Sequence, residues 1–200
     1  GNPLLGGPNG VRLHAAIGKL DFVVALDIYI NETTSLADVI LPSTVQLEHG
    51  NYDFLFQSTS TRNFARYSPR VLEPEPEGRE QWQLMLELVG RMNAMSVEQL
   101  DQLIFEGLAA RIAATLPQCD VAHIKALAGD ECGPERLLDM MLRAGPYGER
   151  FGGGDGLTLE RVKNAEHGID LGSLMPRRLP GILRTAGKRV RLLHPLIEAD

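Results

Sequence analysis

Two hundred residues, 44% of them hydrophobic and 23% charged, suffice for one domain or one and a fraction. A chain of that length buries about 70% of the surface its unfolded form exposes. The composition is too apolar for intrinsic disorder, no apolar run reaches the roughly 18 residues of a membrane helix, and a net charge of −6 argues against nucleic acid as the main partner.

The chain opens Gly1-Asn2-Pro3 with no Met, and is therefore expected to be a piece of a longer polypeptide. Gly1 to Gly10 is rich in Gly, Pro and Asn and reads as a loop. Val11, Leu13, Ala15, Ala16, Ile17 and Leu20 recur near a helical period and predict a helix over 9–20, with Asn9 as its N-cap. Phe22 to Leu26 is a continuous apolar run, which suits a strand buried on both faces of a parallel sheet. Residues 31–35 form a polar turn, and 37–41 a second short strand stopped by Pro42. Together these predict a partial doubly wound, Rossmann-like parallel sheet over residues 1–58, in the α/β class.

Residues 59–78 read as an extended, proline-rich linker. Residues 79–145 read as a helical segment. Trp82, Met85, Leu86, Val89 and Met92 predict one amphipathic helix. Leu100, Leu103, Ile104, Leu108, Ile112 and Leu116 mark the apolar stripe of a second, over 97–115. Shorter helices are predicted over 120–128 and 134–144, the latter with Pro134 in its first turn. Met92, Met95, Met140 and Met141 are read as core filling. Residues 146–200 form a loop-rich extension with a short helix over 157–163 and an alternating strand over 189–193, the first strand of a further domain. Arg177, Arg178, Arg184, Lys188, Arg189 and Arg191 make this end basic, as a docking surface for that domain.

Cys119 and Cys132 belong to no C-x-x-C pair, so neither zinc nor iron–sulfur spacing is present, and two reduced thiols fit a cytoplasmic location. His14, His49, His123, His167 and His194 form no metal-ligand pair. The chemistry-bearing pattern lies near the start. Glycines in a strand-to-helix turn let backbone approach a pyrophosphate or ribose, and the helix behind them offers N–H groups. Asp27, about twenty residues on at a strand end, stands where an acid accepts hydrogen bonds from a ribose hydroxyl or a guanine edge. The same residues also suit a tight turn and a strand-end acid, since Gly-x-Gly-x-x-Gly is absent. Thr33, just after a strand's C-terminal end, reads either as a ligand contact or as a turn hydrogen bond. Asp38 is expected to pair locally. Arg62, Arg66 and Arg70 read as a solvated strap, with phosphate contact as the alternative.

The order of words is more specific. Gly1-Asn2-Pro3, Leu20-Asp-Phe-Val-Val24, Asp27-Ile-Tyr-Ile-Asn-Glu32-Thr33-Thr34, Ala37-Asp38-Val-Ile-Leu-Pro42 and Glu48-His49-Gly50 closely resemble the molybdopterin oxidoreductase superfamily of dimethyl sulfoxide reductases, formate dehydrogenases and nitrate reductases. The resemblance extends through the linker and the Trp82 helix, and more loosely beyond. It implies that this region grips one guanine dinucleotide of a bis-molybdopterin guanine dinucleotide cofactor carrying molybdenum or tungsten. It implies that the Gly1-Asn2-Pro3 turn and Asp27 touch the guanosine, with Thr33 and His49 near the cofactor and Gln81 at a guanine edge. Glu48 shares the His49 loop. Leu26 stands where relatives often carry serine, and Gln81 where many carry aspartate. The metal ligand and any iron–sulfur cysteines are expected upstream, and a further cofactor-binding domain downstream. Partners are then those domains, the cofactor and electron-transfer subunits, and the chain alone is expected to be inactive and metal-free. Two other readings remain open: a non-catalytic α/β interaction module, and a free-standing nucleotide-binding domain that takes GDP.

Overall fold

Strong local signals shape the first forty residues into a small parallel unit. The structure, a computed structural model, describes residues 1–129, 131–174 and 178–199, so Arg177 of the basic cluster lies outside the described residues. Pro3–Gly6 form a single helical turn, α1, with Pro at its first position, where the missing N–H costs nothing. Gly10–Ile17 form α2, and the Asn9 side chain accepts from Arg12 N at 3.2 Å as its cap. Val24–Leu26 (β1) and Val39–Leu41 (β2) pair in parallel, with Leu26 opposite Leu41. No residue of β1 or β2 is buried, so the predicted strand buried on both faces is not what forms here. Neither α1 nor α2 contributes a buried residue to cover the pair.

The stretch read as a linker is extended and carries short strands. Asn51–Tyr52 (β3) pairs antiparallel with Tyr67–Ser68 (β5). Arg62–Ala65 (β4) pairs antiparallel with Ile169–Ser173 (β6), more than a hundred residues on. Arg62 pairs with Asp170 and Arg70 with Glu73.

The helical half follows as Gln81–Asn93 (α3), Val97–Thr115 (α4), Val121–Ala128 (α5), Pro134–Ala144 (α6) and Leu159–Lys163 (α7). Its core lies on two flanks of α6. On one, Met140 meets Phe105, Ala109, Ile112, Leu116 and Ile124 of α4 and α5. On the other, Leu138 and Leu142 meet Ala65 of β4 and Val162 of α7. The buried face of α4 keeps Leu100, Ile112 and Leu116 of the expected stripe, but Leu103 and Ile104 are exposed, and Asp101 and Phe105 are buried instead. Met140 fills core as expected, but Met92 is 85% exposed, because α3 buries little besides Gly90. A Cβ on Gly90 would run into the Met95 carbonyl, so the close approach of α3 to the start of α4 needs glycine. Cys119 is buried and Cys132 exposed, both as free thiols.

Residues 189–193 form no strand among the described residues; a short turn of helix, Pro195–Glu198 (α8), follows. Alternation alone does not make a strand when no partner strand lies beside it. The architecture is mixed α/β, and among the described residues the parallel component is the β1–β2 pair. No helix among them is long and apolar enough to cross a membrane.

Candidate cofactor-binding edge

Because β1 and β2 are parallel, their carboxyl ends share one edge, the place where open α/β sheets bind ligands. Asp27 follows β1 there and Pro42-Ser43-Thr44 follow β2. With Leu26 opposite Leu41, the two strand ends stand about 4.8 Å apart.

The loop after β1 is knit by its own side chains. Asp27 Oδ1 accepts from Ile28 N at 2.8 Å and Tyr29 N at 3.4 Å, and Oδ2 accepts from Asn31 Nδ2 at 3.1 Å. Asn31 Oδ1 accepts from the backbones of Thr33 and Thr34, both at 3.0 Å. Thr34 is buried, and its hydroxyl accepts from Asn31 N at 2.8 Å. The backbone N–H of Ile28 is the main reason the Asp27 carboxyl lies below its ordinary pKa. The loop therefore presents an ionised carboxylate of fixed orientation.

Thr33 reaches back to the start of the chain. Its hydroxyl donates to Asn2 Oδ1 at 2.6 Å and accepts from Leu4 N at 3.2 Å. Asn2 Nδ2 donates to Glu32 Oε2 at 2.6 Å, which leaves one amide N–H of Asn2 without a partner among the described residues. Glu32's own backbone N–H and the Asn2 amide hold its carboxyl below the usual range. Pro3 opens α1, and the Gly1 nitrogen lies 3.8 Å from Asp27 Oδ2. Thus Gly1, Asn2, Pro3, Asp27 and Thr33 are brought together, joined by Asn31 and Glu32, which the site reading passed over. The available signal was local: Asn four residues after Asp27, then Glu and two Thr, is a run rich in side chains that bond nearby backbone.

At the β2 end, Gln81 Nε2 lies 3.4 Å from Ser43 Oγ, and Thr44 N donates to the Arg79 carbonyl at 3.1 Å. The buried Thr44 hydroxyl stands 3.2 Å from His49 Nδ1. Gln81 and His49 thus meet the corner after β2, while Glu48 turns inward and accepts from Val45 N at 2.8 Å. Asp38 binds the other end of the pair, accepting from Val23 N at 2.7 Å.

The opening glycines answer a different demand from a ligand cradle. Cβ atoms on Gly7 and Gly10 would strike the carbonyls of Pro3 and Leu4, so these two positions are glycine because α1 and its loop fold back on themselves. The β1 end of the edge is acidic: Asp27 and Glu32 stand on it, while Arg12 and Lys19 are confined to α2 and the turn after it, and Arg79 at the β2 end is paired with Glu87. Such a surface accepts hydrogen bonds from N–H and O–H groups and repels phosphate.

A family model described as molybdopterin oxidoreductase matches residues 1–91, the stretch from the opening turn into α3. Over 83 residues the chain is 37% identical to a probable oxidoreductase of Bacillus subtilis, YjgC, covering 42% of this chain and 8% of that protein. It is 31% identical over 91 residues to the alpha subunit of an F420-dependent formate dehydrogenase of Methanocaldococcus jannaschii, covering 46% of this chain and 13% of the relative. It is 35% identical over 77 residues to formate dehydrogenase H of Escherichia coli, covering 38% and 10%. The matches thus span 8 to 13% of these relatives' lengths. No solved structure matches. Through the sheet edge and its loops, residues 1–91, the chain is similar to the molybdopterin oxidoreductase family.

Proposed function

We propose that this chain supplies part of the guanine dinucleotide grip of a molybdopterin-dependent oxidoreductase. The cofactor is bis-molybdopterin guanine dinucleotide, with molybdenum or tungsten. The observation that carries the reading is the acceptor-rich carboxyl edge: an ionised Asp27 held by its loop, with the Asn2–Thr33–Glu32 network beside it. Guanine offers N–H donors along one edge and ribose offers hydroxyls, and a carboxylate accepts either. The acceptor set fits the nucleoside end of the cofactor. It does not fit the phosphates, which basic residues outside this edge must meet. Redox chemistry in such enzymes is supplied by the bound metal and pterin, while the protein binds and orients them. Asp27 holds the nucleoside, Asn2 offers its remaining amide N–H, and Gln81 with His49 flanks the second strand end.

The test is nucleotide content. In the enzyme carrying Asp27→Ala, GMP released by acid hydrolysis of the purified protein is expected to fall at least about tenfold, since a hydrogen bond to a charged group is worth roughly 1.5–3 kcal/mol. An unchanged GMP yield overturns the reading.

By the same reading the 200-residue chain alone is inactive and holds no molybdenum. Among its described residues no group of three or more His, Cys, Asp or Glu is disposed to hold a metal ion. Stoichiometric molybdenum on the purified chain would contradict this. The whole enzyme then works in the cytoplasm with electron-transfer subunits and an iron–sulfur cluster, which copurification and iron analysis would test.

A further inference from the structure

The strap from β3 to β5 packs on the helical half, and its Tyr67 also meets the turn beside the candidate edge. Tyr67 of β5 lies opposite Tyr52 of β3, on the ladder that directly follows His49-Gly50. A Cβ on Gly50 would fall on the Tyr67 hydroxyl oxygen, with ring carbon Cζ 2.7 Å away. Gly50 does not have a positive φ, so the ring, rather than the backbone conformation, demands glycine there.

The hydroxyl is fixed from the far side. It donates to Glu135 of α6, whose other oxygen takes the ammonium of Lys163 from α7. That ammonium also stands 4.9 Å from the centre of the Tyr67 ring. Burial, then the Glu135 carboxylate, raises the Tyr67 pKa well above its usual value, so the phenol keeps its proton as a donor. Burial opposes ionisation of Glu135, but the hydrogen bonds from Lys163 and Tyr67 outweigh it and leave its pKa lowered. Across the turn, Thr44 holds His49 Nδ1, and no described residue bonds Nε2. The His49-Gly50 turn is thus set between Thr44 on one side and Tyr67 on the other.

We propose that Tyr67 is a positioning residue for the His49-Gly50 turn, and that Glu135 and Lys163 set Tyr67, so the helical half tunes the geometry of the candidate cofactor edge. The role given to His49 rests on the proposed function; the coupling itself does not.

The experiment is NMR on the intact chain without cofactor, reading the His49 imidazole ring signals and the Gly50 amide. Tyr67→Phe and Glu135→Gln are each expected to shift both signals. Lys163→Gln, a change at a partly exposed side chain, is expected to move the same signals less. Leu138 and Val162 methyl signals report whether the core remains folded. A folded core with His49 and Gly50 signals unchanged overturns the proposal. If Tyr67→Phe fails to fold, Lys163→Gln decides alone: moved signals support the coupling, and unmoved signals overturn it. GMP content in Asp27→Ala tests the guanine reading separately, so either can fail while the other stands.

Discussion

Asp101 shows how one side chain fixes a helix. It sits in α4 with its side chain 3% exposed, opposite Arg136 of α6, itself 4% exposed. Asp101 Oδ1 also accepts from Gly133 N at 3.1 Å, and the guanidinium lies 3.8 Å over the Phe105 ring. The Nε of Arg136 has no hydrogen-bond partner among the described residues. A buried pair of this kind is costly to break singly, because the survivor is left charged in a low dielectric. Asp101→Ala is expected to destabilise the helical half by about 3–5 kcal/mol in urea unfolding. Asp101→Leu combined with Arg136→Met is expected to lose far less. If the single and double variants lose equal stability, the pair is not what holds α4 against α6. The sequence gives no local hint of this pairing. A hydrophobic stripe assigned by period places Leu103 and Ile104 inward, whereas the folded chain buries Asp101 against Arg136, thirty-five residues away, and Phe105 in the core of α4 to α6.

At the scale of elements, helix ends were legible because caps are local chemistry. Ser96 Oγ accepts from Gln99 N at 3.2 Å while Gln99 Oε1 accepts from Ser96 N at 2.8 Å, a reciprocal capping box. Asp120 and Thr158 cap α5 and α7 by accepting from the His123 and Arg161 N–H groups. Ser96→Ala is expected to cost about 1 kcal/mol, read as a lower urea midpoint with an unchanged slope. No change in midpoint would mean that tertiary contacts, not the cap, fix the start of α4. Strands were less legible, because their partners are remote. The β4 segment looked like linker since its partner β6 begins at Ile169, and 189–193 looked like strand though nothing described lies beside it. The candidate edge falls between these cases. Asp27 at a strand end was readable from spacing. That Thr33 would bind Asn2, and that Tyr67 would stand against Gly50, depends on segments brought together only by folding.

Over the whole molecule the apolar core is unevenly shared. Every buried hydrophobic residue lies at Ala65 or later. Before it the buried side chains are Thr34 and Thr44, both polar and both hydrogen-bonded. The α1–β2 unit is held by the polar loop after β1, by Asp38 and by a short ladder, while Val11, Phe22, Tyr29 and Ile30 stay largely uncovered. Hydrophobic burial is the dominant stabilising term, so a unit without it opens at lower free energy than the α4–α6 core. Hydrogen exchange on the intact chain at neutral pH is the direct measurement. Amides of Ala25 and Ile40 in the β1–β2 pair are expected to be protected about 100-fold less, or weaker still, than those of Ala109 and Met140. Equal protection would mean one cooperative unit, with the polar network as strong as the core. On the proposed function, a nucleotide that bridges Asp27 and Asn2 adds contacts to loops that few apolar side chains hold, so bound nucleotide is expected to slow exchange first in residues 27–34.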